Sequence, residues 1–268
     1  MQAAKLFGPN DLRVTEVDEQ DIEPGTVRVN LRYTGICGSD VHEYKIGPVP
    51  IRGEDNDHEI PESEWDDLLP KPMGHEMAGT VAQVGDGVEQ FEIGDKVVLN
   101  LQLSCEECQY CQEGKPQLCT AFDGHVVNTQ GYADSIVFPA TGLRLVPDDV
   151  SLRHAALTEP LSVSVHAVRQ SEMQIGDTVA VFGAGPIGLG IVDAAHSAGA
   201  GRIIVSEPRD SRREIAKKLG ADDTINPHKV EPIEYIKDKT EGGAEIGFEV
   251  AGVDATLTQT LRSTKYGG

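Results

Sequence analysis

The pattern of apolar and polar positions changes character part-way along the chain. In the first half, apolar residues come in short runs that alternate with polar ones, as in Val27-Arg-Val-Asn-Leu-Arg-Tyr33 and Met77-Ala-Gly-Thr-Val-Ala-Gln-Val84, broken by clusters of Gly, Pro and Asp. A period of two turns one face of a strand to a core and the other to water. Closely spaced turns between such strands predict an irregular β-barrel over residues 5–150. One stretch, 54–67, interrupts it with eight carboxylates and the lone Trp65, and reads as an exposed loop.

After Pro147 the spacing turns helical. Ser151 is a candidate N-cap for a helix over 152–168. From residue 177 onward strands alternate with helices: strands over 178–182, 202–206, 224–226 and 245–250, and helices over 186–198, 210–219, 231–239 and 254–262. This βαβ order predicts a doubly wound parallel sheet. The fold class is therefore α/β in two domains, 1–160 and 161–268. A length of 268 residues fits two domains at the usual size of ~100–200 residues. No internal repeat or low-complexity segment is evident.

Charge narrows the set of partners. With 44 acidic against 23 basic residues the net charge is -21, spread along the whole chain. Such a field repels phosphate backbones and anionic membrane surfaces, so neither nucleic acid nor membrane is an expected partner. The same balance, with only 11 Lys, suggests adaptation to high salt, an acidic-proteome character. The amino terminus lacks the apolar core of a signal peptide and no 18-residue apolar run occurs, so a soluble cytoplasmic protein is expected.

Candidate chemistry sits in three places. Val179-Ala-Val-Phe-Gly183-Ala-Gly185-Pro186-Ile187-Gly188 is a G-x-G-x-x-G that follows a β-branched strand and opens a helix. The first Gly allows a tight turn, the second lets backbone approach a pyrophosphate at the helix N-terminus, and the third lets helix and strand pack closely. Glu207 ends the next predicted strand, where a carboxylate can bind ribose hydroxyls and repel a 2′-phosphate, favouring NAD over NADP. Arg209, Arg212 and Arg213 pull the other way, since a guanidinium there could accept that phosphate, but they read first as a solvated helix face.

The second place is Cys105-x2-Cys108-x2-Cys111-x7-Cys119. Four thiolates so spaced can wrap one tetrahedral Zn²⁺ with no open position, a structural site. An iron–sulfur cluster and unpaired buried cysteines are the competing readings; disulfides would need an oxidising compartment. The third is dispersed: Gly35-Ile-Cys37-Gly-Ser39-Asp40-Val-His42, then Gly74-His75-Glu76, then Thr158-Glu159-Pro160. A catalytic zinc takes three protein ligands and one exchangeable position, and Cys, His and Glu from separate loops can supply them.

Taken together and in this order, these motifs resemble those of zinc-containing medium-chain alcohol and polyol dehydrogenases, over essentially the whole chain. Within that family, Cys37-Gly-Ser-Asp-x-His-Glu-Tyr44, the Gly-Pro after it and the long insertion before Gly74 look most like (R,R)-2,3-butanediol dehydrogenases. The resemblance implies an N-terminal GroES-like catalytic domain, a Rossmann domain and catalysis in the cleft between them. It implies two zinc ions per chain and NAD as cofactor. Cys37 and His75 would be ligands of the catalytic zinc, and Glu76 and Glu159 would bind it directly or hold its water. Ser39 would accept the substrate hydroxyl proton, His42 would pass it outward, and Cys105, Cys108, Cys111 and Cys119 would hold the structural zinc. His58, His125, His154, His166, His196 and His228 match no part of the pattern.

The implied reaction is hydride transfer between NAD(H) and a secondary alcohol or vicinal diol, or the matching ketone, of the 2,3-butanediol/acetoin kind. Sugar or polyol (sorbitol or glucose type) and L-threonine dehydrogenases are alternatives. Relatives are homo-oligomeric and continue through two more Rossmann strands, one of them commonly in the dimer interface, before returning to the catalytic domain. This sequence stops where the fifth strand is expected, so a non-catalytic zinc-binding remnant is the alternative from a different class.

Overall fold

The structure, a computed structural model, describes residues 1–48, 60, 62–101, 103–120 and 130–267. His58, His125 and the acidic residues 54–59 lie outside the described residues. The chain divides into two compact units, Met1–Glu159 and Pro160–Gly268.

The first unit contains β1 (Gln2–Gly8), β2 (Asp11–Glu16), β3 (Thr26–Gly35), α1 (Gly38–Ile46), α2 (Trp65–Leu68), β4 (Lys71–Pro72), β5 (Glu76–Val84), β6 (Lys96–Leu99), α3 (Gln109–Gln112), β7 (Ser135–Pro139), β8 (Leu143–Leu145) and α4 (Leu152–Ala155). Among the described residues the strands form two antiparallel sheets, β2-β1-β4 and β7-β3-β5-β6-β8, with an isolated bridge from Ala3 to Ala133. The alternation at the start of β3 works as expected, and Val27, Val29, Met77 and Val81 enter one core with Val97, Leu99, Ile136, Phe138 and Leu143; β5 instead is buried on both faces over residues 76–79, with Ala78 in a second cluster beside Val98. The expected loop over 54–67 ends in structure instead, since Trp65–Leu68 is helical. Four residues are too few for helical periodicity to show. Trp65 anchors this turn, its indole N–H donating to the Ile60 carbonyl at 2.9 Å.

The β3–β5 pairing is what positions the chemistry. Two register shifts, between Arg28 and Val29 and between Leu31 and Tyr33, end the ladder with Gly35 opposite Glu76. The chain leaving β3 therefore meets the chain entering β5, and Cys37 comes beside His75.

The helix expected over 152–168 is two helices, α4 and α5 (Thr158–Gln170). Ser151 does cap α4, its hydroxyl accepting the His154 N–H at 3.3 Å. Pro160 explains the break: it has no N–H for the Ala156 carbonyl, and it fits only the first turn of a new helix.

The second unit holds β9 (Thr178–Phe182), α6 (Pro186–Ser197), β10 (Arg202–Ser206), α7 (Asp210–Lys218), β11 (Asp223–Ile225), α8 (Pro232–Lys239), β12 (Ile246–Glu249) and α9 (Asp254–Ser263). The sheet is parallel in the order β11-β10-β9-β12. Both of its faces are covered. Val179, Val181, Ile203 and Val205 pack on one side, and Ala180, Phe182 and Ile204 on the other, which is why these strands read as continuous apolar runs. Among the described residues no helix is long and apolar enough to cross a membrane.

Candidate functional site

Cys37 is the N-cap of α1, with β-region backbone, so its sulfur sits at the positive end of a helix. His75 follows Gly74, whose φ of 90° turns the chain into β5. The donor atoms of Cys37, His75 and Glu76 lie within 4.8 Å of one another. Gly35 makes room for this: a Cβ there would stand 1.8 Å from Glu76 Oε2.

The electrostatics are those of a cation site. Burial, then the nearby Glu159 carboxylate, raises the pKa of Glu76, and burial also raises that of Glu159. Cys37 is pulled below the ordinary thiol range by His75 first, then by the Ser39 hydroxyl and N–H, against the effect of burial. Two crowded carboxylates and an acidic thiol face a single imidazole. Sulfur, nitrogen and oxygen donors with surplus negative charge fit Zn²⁺. Glu159, in the first turn of α5, is not in the 4.8 Å group but is near enough to act on Glu76.

Asp40 completes the site, and sequence reasoning gave it no role. It is buried at 7% exposure. Its Oδ1 lies 3.4 Å from His75 Nδ1, and its Oδ2 accepts the Cys37 N–H and the Tyr132 hydroxyl, both at 2.9 Å. The hydrogen bond to Asp40, then that to Cys37, pushes the His75 pKa up to about 10, against burial. With Nδ1 turned to Asp40, the other ring nitrogen is the one left for a metal, which would displace its proton on binding. The Asp three residues after an N-cap was the available signal for Asp40, since this is capping-box spacing; Tyr132 carried none. Ser39 and His42 are exposed and share a face of α1 at i,i+3 spacing, with Ser39 hydrogen-bonded to the Cys37 sulfur.

The four cysteines of the lobe also converge. Sulfur–sulfur separations are 3.4 Å for Cys108–Cys111, 3.5 Å for Cys105–Cys119 and 3.9 Å for Cys105–Cys111. A disulfide would put the atoms about 2.05 Å apart; zinc–sulfur bonds of about 2.3 Å in a tetrahedron put them about 3.8 Å apart. The spacing fits one tetrahedral ion. Backbone N–H groups of Cys111 and Thr120 lower the Cys108 pKa to about 6, while burial and the Cys108 and Cys119 sulfurs raise that of Cys111 to about 11, as expected of thiols crowded together.

In the second unit, Gly183 has φ 103° and Gly185 is the N-cap of α6, with Pro186 at its start. A Cβ on Gly188 would stand 2.1 Å from the Gly183 carbonyl oxygen, whereas one on Gly185 would meet nothing within 4 Å. The third glycine is thus needed for packing. The second faces open space where a phosphate can approach helix N–H groups. The β9–β10 register brings Glu207 beside this turn. Its carboxylate accepts the N–H of Ala184 and of Arg209, each at 2.9 Å, with Arg212 Nη1 at 3.7 Å from Oε2. At 3% exposure, Glu207 ties the glycine turn to the adjacent strand end.

Residues 23–148 match the family described as alcohol dehydrogenase GroES-like domain, and residues 186–268 that described as zinc-binding dehydrogenase. The chain is 36% identical over 269 residues to (R,R)-butanediol dehydrogenase of Bacillus subtilis (strain 168), covering 100% of this chain and 75% of that one. The chain belongs to the zinc-dependent medium-chain alcohol dehydrogenases. It is an oxidoreductase of the class acting on CH–OH donors, with a GroES-like domain followed by a Rossmann-type domain.

The crystal structure of 2R,3R-butanediol dehydrogenase from Bacillus subtilis superposes on this dehydrogenase with a TM-score of 0.83, at 35% identity, covering 100% of this chain and 75% of that one. Sorbitol dehydrogenase of the same organism is 35% identical over 279 residues, with 100% and 73% covered. Both cofactor types occur among structural neighbours. A zinc-binding dehydrogenase of Sinorhizobium meliloti 1021, bound to NADP, has a TM-score of 0.80 at 28% identity with 100% and 74% covered. An alcohol dehydrogenase of E. coli CFT073, complexed with NADH, has 0.82 at 28% with 99% and 73% covered.

Proposed function

We propose that this dehydrogenase transfers hydride between NAD(H) and a secondary alcohol of a vicinal diol, or the matching hydroxyketone, of the 2,3-butanediol/acetoin kind. The observation that carries the reading is the convergence of Cys37, His75 and Glu76 donor atoms within 4.8 Å. In this reading these residues hold the catalytic zinc, with Glu159 as a further ligand or the holder of its water, and the four-cysteine lobe holds a second, structural zinc. Zinc, when bound, supplies the Lewis acidity that makes a substrate hydroxyl acidic, and NAD supplies the hydride acceptor.

The chain's own residues do the rest. Asp40 fixes the His75 ring so that its free nitrogen faces the site. Ser39, beside the Cys37 sulfur, takes the hydroxyl proton, and His42 passes it outward. Gly185 opens the N-terminus of α6 to the pyrophosphate. Glu207 presents negative charge at the strand end where a 2′-phosphate would lie, which favours NAD over NADP. Similarity to butanediol dehydrogenase, together with the segment from Cys37 to Tyr44, supports the diol reading. The sorbitol dehydrogenase relative, at nearly equal identity, supports a longer polyol as the second reading.

The test measures zinc per chain and NAD reduction with 2,3-butanediol stereoisomers, sorbitol and L-threonine. Two zinc ions per chain and highest kcat/KM on a butanediol are expected. Turnover that survives complete zinc removal sinks the mechanism, and preference for sorbitol sinks the substrate assignment alone.

A further inference from the structure

Tyr132 touches every segment that brings the donor group together. Its hydroxyl is 2.9 Å from Asp40 Oδ2 and 3.3 Å from the carbonyl oxygen of Gly35. Its ring lies over Gly74, where a Cβ would stand 2.7 Å from ring Cδ1. The residue is itself held on both sides. Its N–H donates to the Met73 carbonyl at 3.0 Å, and its own carbonyl accepts the Ala4 N–H at 2.7 Å. The preceding Gly131 donates its N–H to the Gly74 carbonyl at 3.0 Å and accepts the Thr34 hydroxyl at 2.6 Å. The phenol is thus a fixed point built on the strands that carry the site, not a mobile surface group.

What it fixes is a carboxylate with two duties. Asp40 Oδ2 accepts the Cys37 N–H at 2.9 Å, and Oδ1 faces His75 Nδ1 at 3.4 Å. One backbone N–H alone leaves a carboxylate free to pivot; a second donor from a rigid phenol defines its plane. The orientation of Oδ1, and hence the tautomer and tilt of the imidazole, follows from that plane.

We propose that Tyr132 is a positioning residue of the catalytic metal site, acting through Asp40 to set how His75 offers its other ring nitrogen to the metal. The inference rests on the reading of Cys37, His75 and Glu76 as that site. Tyr132 neither binds metal nor touches substrate in this scheme.

The test compares wild-type protein with Tyr132→Phe, Asp40→Asn, the double variant and His75→Ala, all as the full 268-residue chain loaded with Co²⁺. His75→Ala marks which metal is lost at this site, and the cysteine lobe serves as an internal control for folding. Tyr132→Phe, which keeps the ring, is expected to weaken Co²⁺ at the His75 site roughly 10–100-fold, to shift its visible ligand-field bands, and to leave the cysteine-lobe metal in place. Asp40→Asn should do the same, and the double variant should be no worse than the worse single one, because both act along one path. Wild-type affinity and spectrum in Tyr132→Phe overturn the proposal, as does equal loosening of both metals, which marks a general folding role. If His75→Ala still binds two ions, the site reading itself fails and the proposal falls with it; the two failures are thereby distinguishable.

Discussion

Gly35 and Glu76 face each other at the end of the β3–β5 ladder, and the Glu76 carboxylate occupies the space a Cβ on residue 35 would need. Gly35→Ala forces that carboxylate away. The two closest atoms, Oε2 at 1.8 Å and Cδ at 2.9 Å, belong to the end of a flexible side chain, and Glu76 Cβ at 3.0 Å asks only a small shift of the paired strands, so the fold yields at a cost of about 1–2 kcal/mol. Glu76 leaves the donor group as a result. The expected outcome is one zinc per chain instead of two and at least a 10-fold loss of kcat/KM, with only a small change in Tm; metal analysis and thermal melts check it.

The cysteine lobe should respond to chelation and not to reduction. Its sulfurs are separated by 3.4–3.9 Å, too far for disulfides. A strong chelator, or Cys108→Ser, is expected to lower Tm by roughly 10 °C, about 3 kcal/mol for a chain of this size. A phosphine reductant should leave Tm unchanged. A drop on reduction would mean that the lobe is held by disulfides.

Two glycines of one motif should separate stability from cofactor binding. Gly188→Ala drives a Cβ into the Gly183 carbonyl oxygen at 2.1 Å, where only backbone can give way, and should cost about 1–3 kcal/mol. Gly185→Ala meets nothing in the protein and has φ of -71°, so stability should be unchanged while NADH binding weakens at least 10-fold. Calorimetric unfolding and NADH fluorescence titration distinguish them. Retained NADH affinity in Gly185→Ala would remove the phosphate from this helix end.

One ion pair, Glu245 with Lys265, should add a small pH-dependent contribution to the stability of the second unit. Burial alone would raise the pKa of Glu245, but hydrogen bonds from Lys265 and from the Thr178 N–H outweigh it and hold the carboxyl below its ordinary 4.5. A lowered folded pKa contributes stability that is fully present above the unfolded value and is lost as pH falls through the folded one. Urea unfolding across pH 7 to pH 3 should show Glu245→Gln destabilised relative to wild type at pH 7, with the gap narrowing as pH falls below 4.5. A gap independent of pH would assign the effect to packing.

The donors were legible in the sequence because ligand chemistry is local. Four cysteines at fixed spacing and a glycine turn after a β-branched strand each declare themselves within a few residues, whereas Cys37, His75, Glu76 and Glu159 gained meaning only from their combination and order. The parallel sheet was legible for the same reason, since its strands are buried on both faces and leave long apolar runs. Where local rules compete, only the structure decided. Pro160 splits one predicted helix into two, and Trp65 with its short helix rises out of a stretch that reads as loop.

Beyond the grouping that the family resemblance implied, the tertiary structure alone supplied the contacts that join distant segments. Two register shifts in β3 place Gly35 against Glu76, a choice that depends on how both strands meet their cores and not on either strand's sequence. Glu207 is turned inward onto the Ala184 and Arg209 N–H groups by the β9–β10 register. Tyr132 reaches Asp40 across 92 positions of chain. Residue type and spacing determined which atoms are able to bind a metal or a phosphate; long-range strand pairing, burial and hydrogen bonding determined which of them meet, because those contacts are settled by packing and leave no periodic trace in sequence.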